Sequence, residues 1–134
     1  MPYPGLKPYF TDAPLLQPLA DGCNWELHEK FGFWTPRTGL IMVPAGFVTD
    51  LASIPRLFWN ILPPFGKYTR AAIVHDWLYR TQMRTRETAD RVLWDGMVAC
   101  GVPWWQRVII YQNVRWFGFA AWADDSRHLF RSQK

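Results

Sequence analysis

Cysteine is scarce: Cys23 and Cys100 are the only two, with no Cys-x-x-Cys and no histidine at zinc-ligand spacing. That excludes a disulfide scaffold and the common structural zinc sites, and it suits a reducing compartment. No stretch reaches the roughly 18 uninterrupted apolar residues of an ordinary spanning helix. The opening MPYPGLKPYF has no basic segment followed by an apolar core, so export by a signal peptide is not expected. Lysine and arginine never occur four in a row, and no basic patch can be located, so nucleic acid is not an expected partner. No Gly-x-Ser-x-Gly surrounds Ser53, which argues against a serine nucleophile there. There are no internal repeats and no low-complexity tracts.

Apolar and aromatic residues are what the chain does have. Of its 134 residues 49% are hydrophobic, nine are tryptophan, and the formal net charge is +4. One domain with an ample core fits that length. Residues 1 to 22 hold five of the eleven prolines and little periodicity, which reads as an extended arm laid over the domain or over a neighbour. Residues 23 to 134 read as a single globular domain. Short β-like pieces follow at Trp25 to His28, Phe31 to Thr35, Leu40 to Val43 and Phe47 to Thr49, broken by Pro36-Arg37-Thr38-Gly39 and Pro44-Ala45-Gly46. They predict a small antiparallel sheet, with His28 facing solvent. The expected class is α+β, this sheet being joined to a helix hairpin and a long last helix.

The hairpin carries the chemistry. In Ala71-Ala72-Ile73-Val74-His75-Asp76-Trp77-Leu78-Tyr79-Arg80, at about 100° per residue, His75 falls beside Ala71, Val74, Leu78 and Tyr79 on the inward face. Asp76 turns toward the flank. A second helix begins at Thr85, an N-cap residue, and closes at Gly101 after Cys100. In it Asp90 shares the apolar stripe of Ala89, Leu93, Met97 and Cys100, while Glu87, Thr88, Arg91 and Asp95 are expected on the polar side. A carboxylate on a core stripe needs a partner, because an unpaired buried charge costs several kcal/mol. His75 and Asp90 are about equally far from the turn at 81 to 84, so an antiparallel hairpin brings them level. Such a pair either fixes one imidazole tautomer and frees the other nitrogen as a base, or simply locks two helices together.

Asp50 stands at a strand end ahead of a helix start marked by Ser53 and Pro55. It reads either as a capping residue or, with the carbonyl of Leu51 and with Asp76, as part of an oxygen-rich site for calcium. From Pro103 a long helix is expected to run from Trp104 to about Trp122, apolar on every side, followed by a polar tail from Ala123. Core burial is the default for such a helix, with cover by another chain or a lipid surface as the alternatives.

Gly46-Phe47-Val48-Thr49-Asp50-Leu51-Ala52-Ser53-Ile54-Pro55, His75-Asp76-Trp77-Leu78-Tyr79 and Ala89-Asp90 together resemble a phage and prophage family known only as domain of unknown function 1353. That resemblance implies a phage or prophage gene, located in the bacterial host cytoplasm or the virion, and no activity. His75-Asp76-x-x-Tyr79 followed by Ala89-Asp90 is also similar to the active-site helices of phospholipase A2 enzymes, above all the short bacterial and fungal forms and the parvoviral capsid domain. This likeness implies that His75 activates water, Asp90 orients it, Tyr79 supports the pair, and Asp76 with Asp50 and Leu51 binds calcium. The chain departs from those enzymes in lacking a cysteine just before His75 and a glycine-rich calcium loop. The expected function is therefore hydrolysis of a lipid ester, with phospholipid as partner and peripheral membrane contact. The alternative is a non-enzymatic virion, tail or assembly component that uses the helix pair as a clasp and meets other phage structural proteins through its arm or last helix.

Overall fold

The computed structural model describes residues 7–12, 14–20, 24–49 and 69–132. Its elements are β1 (Tyr9–Phe10), β2 (Leu16–Pro18), β3 (Trp25–Leu27), β4 (Phe31–Thr35), β5 (Gly39–Val43), β6 (Val48–Thr49), α1 (Thr69–Thr81), α2 (Arg86–Ala99) and α3 (Trp104–Ser132). The class is α+β, with a helix hairpin and a long C-terminal helix.

The strands form two antiparallel sheets of three, ordered β1-β4-β5 and β2-β3-β6, rather than one. The reason lies in the Pro44 to Phe47 turn. Gly46 takes φ +90° there, a conformation open to glycine without strain. The chain then doubles back onto β3 through Gly46 N–H to Leu27 O at 2.7 Å and Leu27 N–H to Phe47 O at 2.8 Å. The segment expected as an arm supplies β1, which pairs with β4, and β2, which pairs with β3.

β4 and β5 form a hairpin in the register Phe31↔Val43, Phe33↔Ile41 and Thr35↔Gly39. Pro36 presets the turn, Thr38 N–H donates to Thr35 O at 3.2 Å, and Gly39 closes it at φ +77°, a left-handed conformation that glycine adopts without strain. Alternation puts Phe31, Phe33 and Val43 inside, where they meet Ile73, Val74 and Leu78 of α1 and Val92, Leu93 and Met97 of α2 in one core.

Thr85 caps α2, its hydroxyl accepting from Thr88 N–H at 3.2 Å. At the other end Val102 N–H reaches Met97 O at 3.0 Å and Gly101 N–H reaches Val98 O at 3.1 Å, with Gly101 at φ +76°. This is a Schellman ending, sealed by the buried Met97 and Val102. α2 packs on α1 and α3 along one side and on β1 and β4 along the other. Asp95, expected on a polar face, is therefore fully buried. It accepts from Thr35 Oγ1 at 2.8 Å and from Arg37 Nε at 3.0 Å, tying α2 to the hairpin turn.

Two further expectations change. α3 does not stop near Trp122, because the polar groups that follow are used within the helix and against the α1–α2 turn: Arg127 pairs with Asp124 at 3.2 Å, Asp125 with Arg80 at 3.6 Å, and Ser126 Oγ donates to Gln82 Oε1 at 2.9 Å. Nor is α3 central to the core. Ile110, Asn113 and Val114 are buried, while Trp104, Trp116, Phe117 and Phe119 stand in solvent. His28 is exposed, as the alternation of its segment implies.

The α1–α2 contact depends on a glycine. A Cβ at Gly96 would lie 2.7 Å from Ala71 Cβ and 3.2 Å from Ala71 Cα, so the helices would have to part. Gly96→Ala gains about 1 kcal/mol of helix propensity but meets an overpacking cost of about 1–3 kcal/mol. We expect a net destabilisation, measured as a lower urea midpoint with an unchanged m-value.

Candidate functional site

α1 presents His75 and Tyr79 one turn apart on a single face, with ring centroids 4.3 Å apart. Both point at Asp90, whose carboxylate has no exposed surface. His75 Nε2 is 2.8 Å from Asp90 Oδ1, and Tyr79 donates its hydroxyl to the same oxygen at 2.7 Å. The level argument for the hairpin therefore predicts the contact seen. The other oxygen, Oδ2, accepts from Arg115 Nη1 at 2.6 Å and has Arg86 Nη1 at 3.5 Å. Arg86 also donates to the carbonyls of Val114 and Arg115 at 3.3 and 3.1 Å. Three helices thus converge on one carboxylate.

The approach of α3 needs Gly118. A Cβ there would lie 2.5 Å from the Tyr79 hydroxyl and would push the phenol off Asp90. Trp122 packs its ring edge-on against Tyr79 at 5.1 Å, completing a wall around the pair.

Burial pushes the Asp90 carboxyl up, but the hydrogen bonds and charge of His75, with the bonds from Tyr79 and Arg115, outweigh it and hold the group below the ordinary carboxylate range. Asp90 is accordingly ionised at neutral pH and can only accept, so Nε2 of His75 carries the proton. Burial, together with the hydrogen bond and charge of Asp90, raises the Tyr79 phenol well above its ordinary value; it stays protonated as a donor. The bond to Asp90 likewise raises the Arg115 guanidinium. Burial raises the Cys100 thiol, which leaves it a poor nucleophile.

With Nε2 engaged, Nδ1 of His75 makes no hydrogen bond among the described residues, and His75 lines a cleft of about 430 Å³ between α1 and α3. Asp76, Arg80, Asn113, Phe117 and Asp124 share that lining. Asn113 is nine-tenths buried, and its Oδ1 has no hydrogen-bond partner among the described residues. Such a group costs about 1–3 kcal/mol unless a ligand or water satisfies it.

Asp76 lies at the cleft with its Oδ1 3.6 Å from Arg80 Nε. Asp50 and Leu51, the other expected calcium ligands, lie outside the described residues, as does Ser53. Among the described residues no three His, Cys, Asp or Glu side chains converge to hold a metal ion.

Sequence reasoning missed Arg86, Arg115 and Asn113. Arg86 stands four residues before Asp90, a spacing that places an arginine over a carboxylate on a helix, and it could have been read. Arg115 and Asn113 carried no such signal, because their role depends on how α3 crosses α2.

Residues 25–114 match the family described as Protein of unknown function (DUF1353). The chain belongs to this family. The DUF1353 match takes in β3 to β6, α1, α2 and the first turns of α3, with His75, Tyr79, Arg86 and Asp90 inside it. Two curated proteins of Sinorhizobium fredii are similar: Uncharacterized protein y4jT, 38% identical over 96 residues that make up 70% of this chain and 29% of that protein, and Uncharacterized protein y4iH, 37% identical over 72 residues that make up 52% of this chain and 30% of that one. The chain spans less than a third of the length of these relatives. No solved structure matches it.

Asparagine at position 90 would remove the charge and replace one of the two acceptor oxygens by an NH2 donor, so that either Arg115 or the His75 and Tyr79 pair would face a donor. We expect Asp90→Asn to cost about 3 kcal/mol at neutral pH, the scale for breaking a buried charged pair. Because the folded-state value is depressed, the wild-type contribution is complete above the unfolded carboxyl value near 3.9. It is lost as pH falls through the lower folded value. Urea titrations at neutral pH and near pH 2 should therefore show the gap between wild type and Asp90→Asn closing in acid.

Proposed function

We propose that the His75 cleft is the active site of a hydrolase that cleaves a lipid ester with an activated water. The observation that carries this reading is the Asp90 carboxylate on Nε2 of His75, which leaves Nδ1 at the cleft as the basic nitrogen. A water held at Nδ1 would give up its proton to the imidazole while its oxygen bonds to the ester carbonyl carbon. The imidazolium would then return that proton to the departing alkoxide as the C–O bond breaks, yielding a carboxylic acid and an alcohol. Asp90 would orient the ring and offset the charge of the imidazolium, and Tyr79 would hold Asp90 in place. Asn113, with an unanswered buried oxygen, offers a polar contact to the substrate or the water. Phospholipid as substrate class rests on the phospholipase A2 likeness and on the apolar side chains from α3 that wall the cleft. In that likeness calcium would sit at Asp76 with Asp50 and the carbonyl of Leu51.

One observation favours a second reading. Both oxygens of Asp90 are engaged, by residues from three helices, which is the arrangement expected of a clasp in a non-enzymatic component of a phage particle or its assembly. The two readings part on activity. Release of fatty acid from a fluorescent phospholipid should be measured with millimolar calcium and with chelator, for wild type and for His75→Asn. A general base contributes about 10²–10⁴-fold, so His75→Asn should lose at least 100-fold while remaining folded by circular dichroism. Wild-type protein that releases no fatty acid in either condition, or a variant as active as wild type, would leave the clasp as the function of the pair.

A further inference from the structure

We infer that the solvent face of α3 docks on the surface of a phospholipid bilayer. Five large aromatic residues stand out from this helix, from Trp105 at 50% exposure to Trp116 at 71%, with Trp104, Phe117 and Phe119 between. At about 100° per residue, Trp105, Trp116 and Phe119 fall within roughly 60° of one another, a stripe along the helix. At about 200 Å² per ring system the exposed area of these three rings is on the order of 400 Å². That lies within the range for the largest patch on a monomer, about 300–600 Å². It falls short of the roughly 800 Å² per partner of a standard protein interface, and it forms a ridge one helix wide. A second copy of this chain is poorly served by such a shape.

A bilayer surface is well served. Tryptophan places an apolar ring at headgroup depth and keeps a polar N–H edge. Between Trp104 and Ala123 the charged residues are Arg107 and Arg115, with no carboxylate to meet lipid phosphate. Both arginines are occupied inward, Arg115 on Asp90 at 2.6 Å and Arg107 over the Trp94 ring at 4.9 Å. Docking by this face is therefore aromatic in origin and only slightly dependent on salt. Among the described residues no helix is long and apolar enough to cross a membrane, so α3 lies along the interface. Phe117, exposed about 100° round the helix from Trp116, lines the His75 cleft, so the cleft mouth opens on the flank of the docked face. The inference does not require the cleft to be catalytic.

The test uses the full chain and vesicles of dialkyl ether phosphatidylcholine, alone or with equimolar dialkyl ether phosphatidylglycerol. Ether lipids have no ester to hydrolyse, so binding is read apart from activity. Co-sedimentation should show the protein on both vesicle types, within about threefold of each other, with little change on adding salt. The double variant Trp116→Gln, Phe119→Gln should lose at least tenfold in partitioning, and Trp105→Gln should independently lose a smaller share. Wild-type protein that stays in the supernatant, or variants that bind as wild type does, would overturn the inference. So would a dimer in sedimentation equilibrium that the double variant dissociates, since a second copy would then own the face. Ester hydrolysis without vesicle binding would sink this inference and spare the active-site reading; vesicle binding without hydrolysis would do the reverse.

Discussion

An ionised carboxylate with no exposed surface is the constraint on which the helical half of this protein depends. Asp90 gives up hydration on burial, and its neighbours must return it. They do so from three elements: His75 and Tyr79 from α1, Arg86 from α2 itself and Arg115 from α3. Each donor sets a distance between helices that apolar packing alone would leave adjustable. Gly118 is needed so that α3 can come near enough for Arg115 to reach, and Gly96 so that α1 and α2 can approach at the level of Ala71.

The same network shapes what His75 can do. An acceptor-only partner fixes the protonated nitrogen as Nε2 and holds the ring to the cleft. The guanidiniums of Arg115 and Arg86 hold the carboxylate from its far side, at Oδ2. The arrangement is thus a rigid orienting pair first. Orientation is what a clasp and a catalytic dyad have in common, and that is why one geometry supports both readings.

Much of this was legible in the residues. Helical period placed His75, Tyr79 and Asp90 inward, and equal distances from the turn set His75 against Asp90. Thr85 and Gly101 marked the ends of α2 by their capping chemistry. Asp95 was misplaced because a helical wheel with one apolar face assumes one packed side, whereas α2 is covered on two. The end of α3 was misplaced because Asp125 and Ser126 look like solvated tail residues until Arg80 and Gln82 of the neighbouring hairpin are beside them. The single sheet became two because the decision was made by a turn at Gly46, where a backbone angle and not a side-chain pattern selects the partner strand. Asp50 and Leu51 lie outside the described residues.

α2 carries two buried carboxylates on different sides, and the difference between them explains where chemistry can occur. Asp95 meets Thr35 and Arg37 at the sheet, beneath a hairpin turn, with no histidine among these partners. Asp90 meets an imidazole at an open cleft. Both engage arginine, so charge compensation does not separate them; what separates them is that the imidazole beside Asp90 can exchange a proton and lines the cleft. The DUF1353 match encloses Asp90, His75 and Tyr79 and ends at residue 114. Arg115, Trp116, Phe117 and Phe119 follow directly on the same helix. Whatever holds α3 in place by its outer face therefore acts, through Arg115 and Gly118, on the carboxylate that orients His75. A surface that engages those aromatics is mechanically continuous with the cleft.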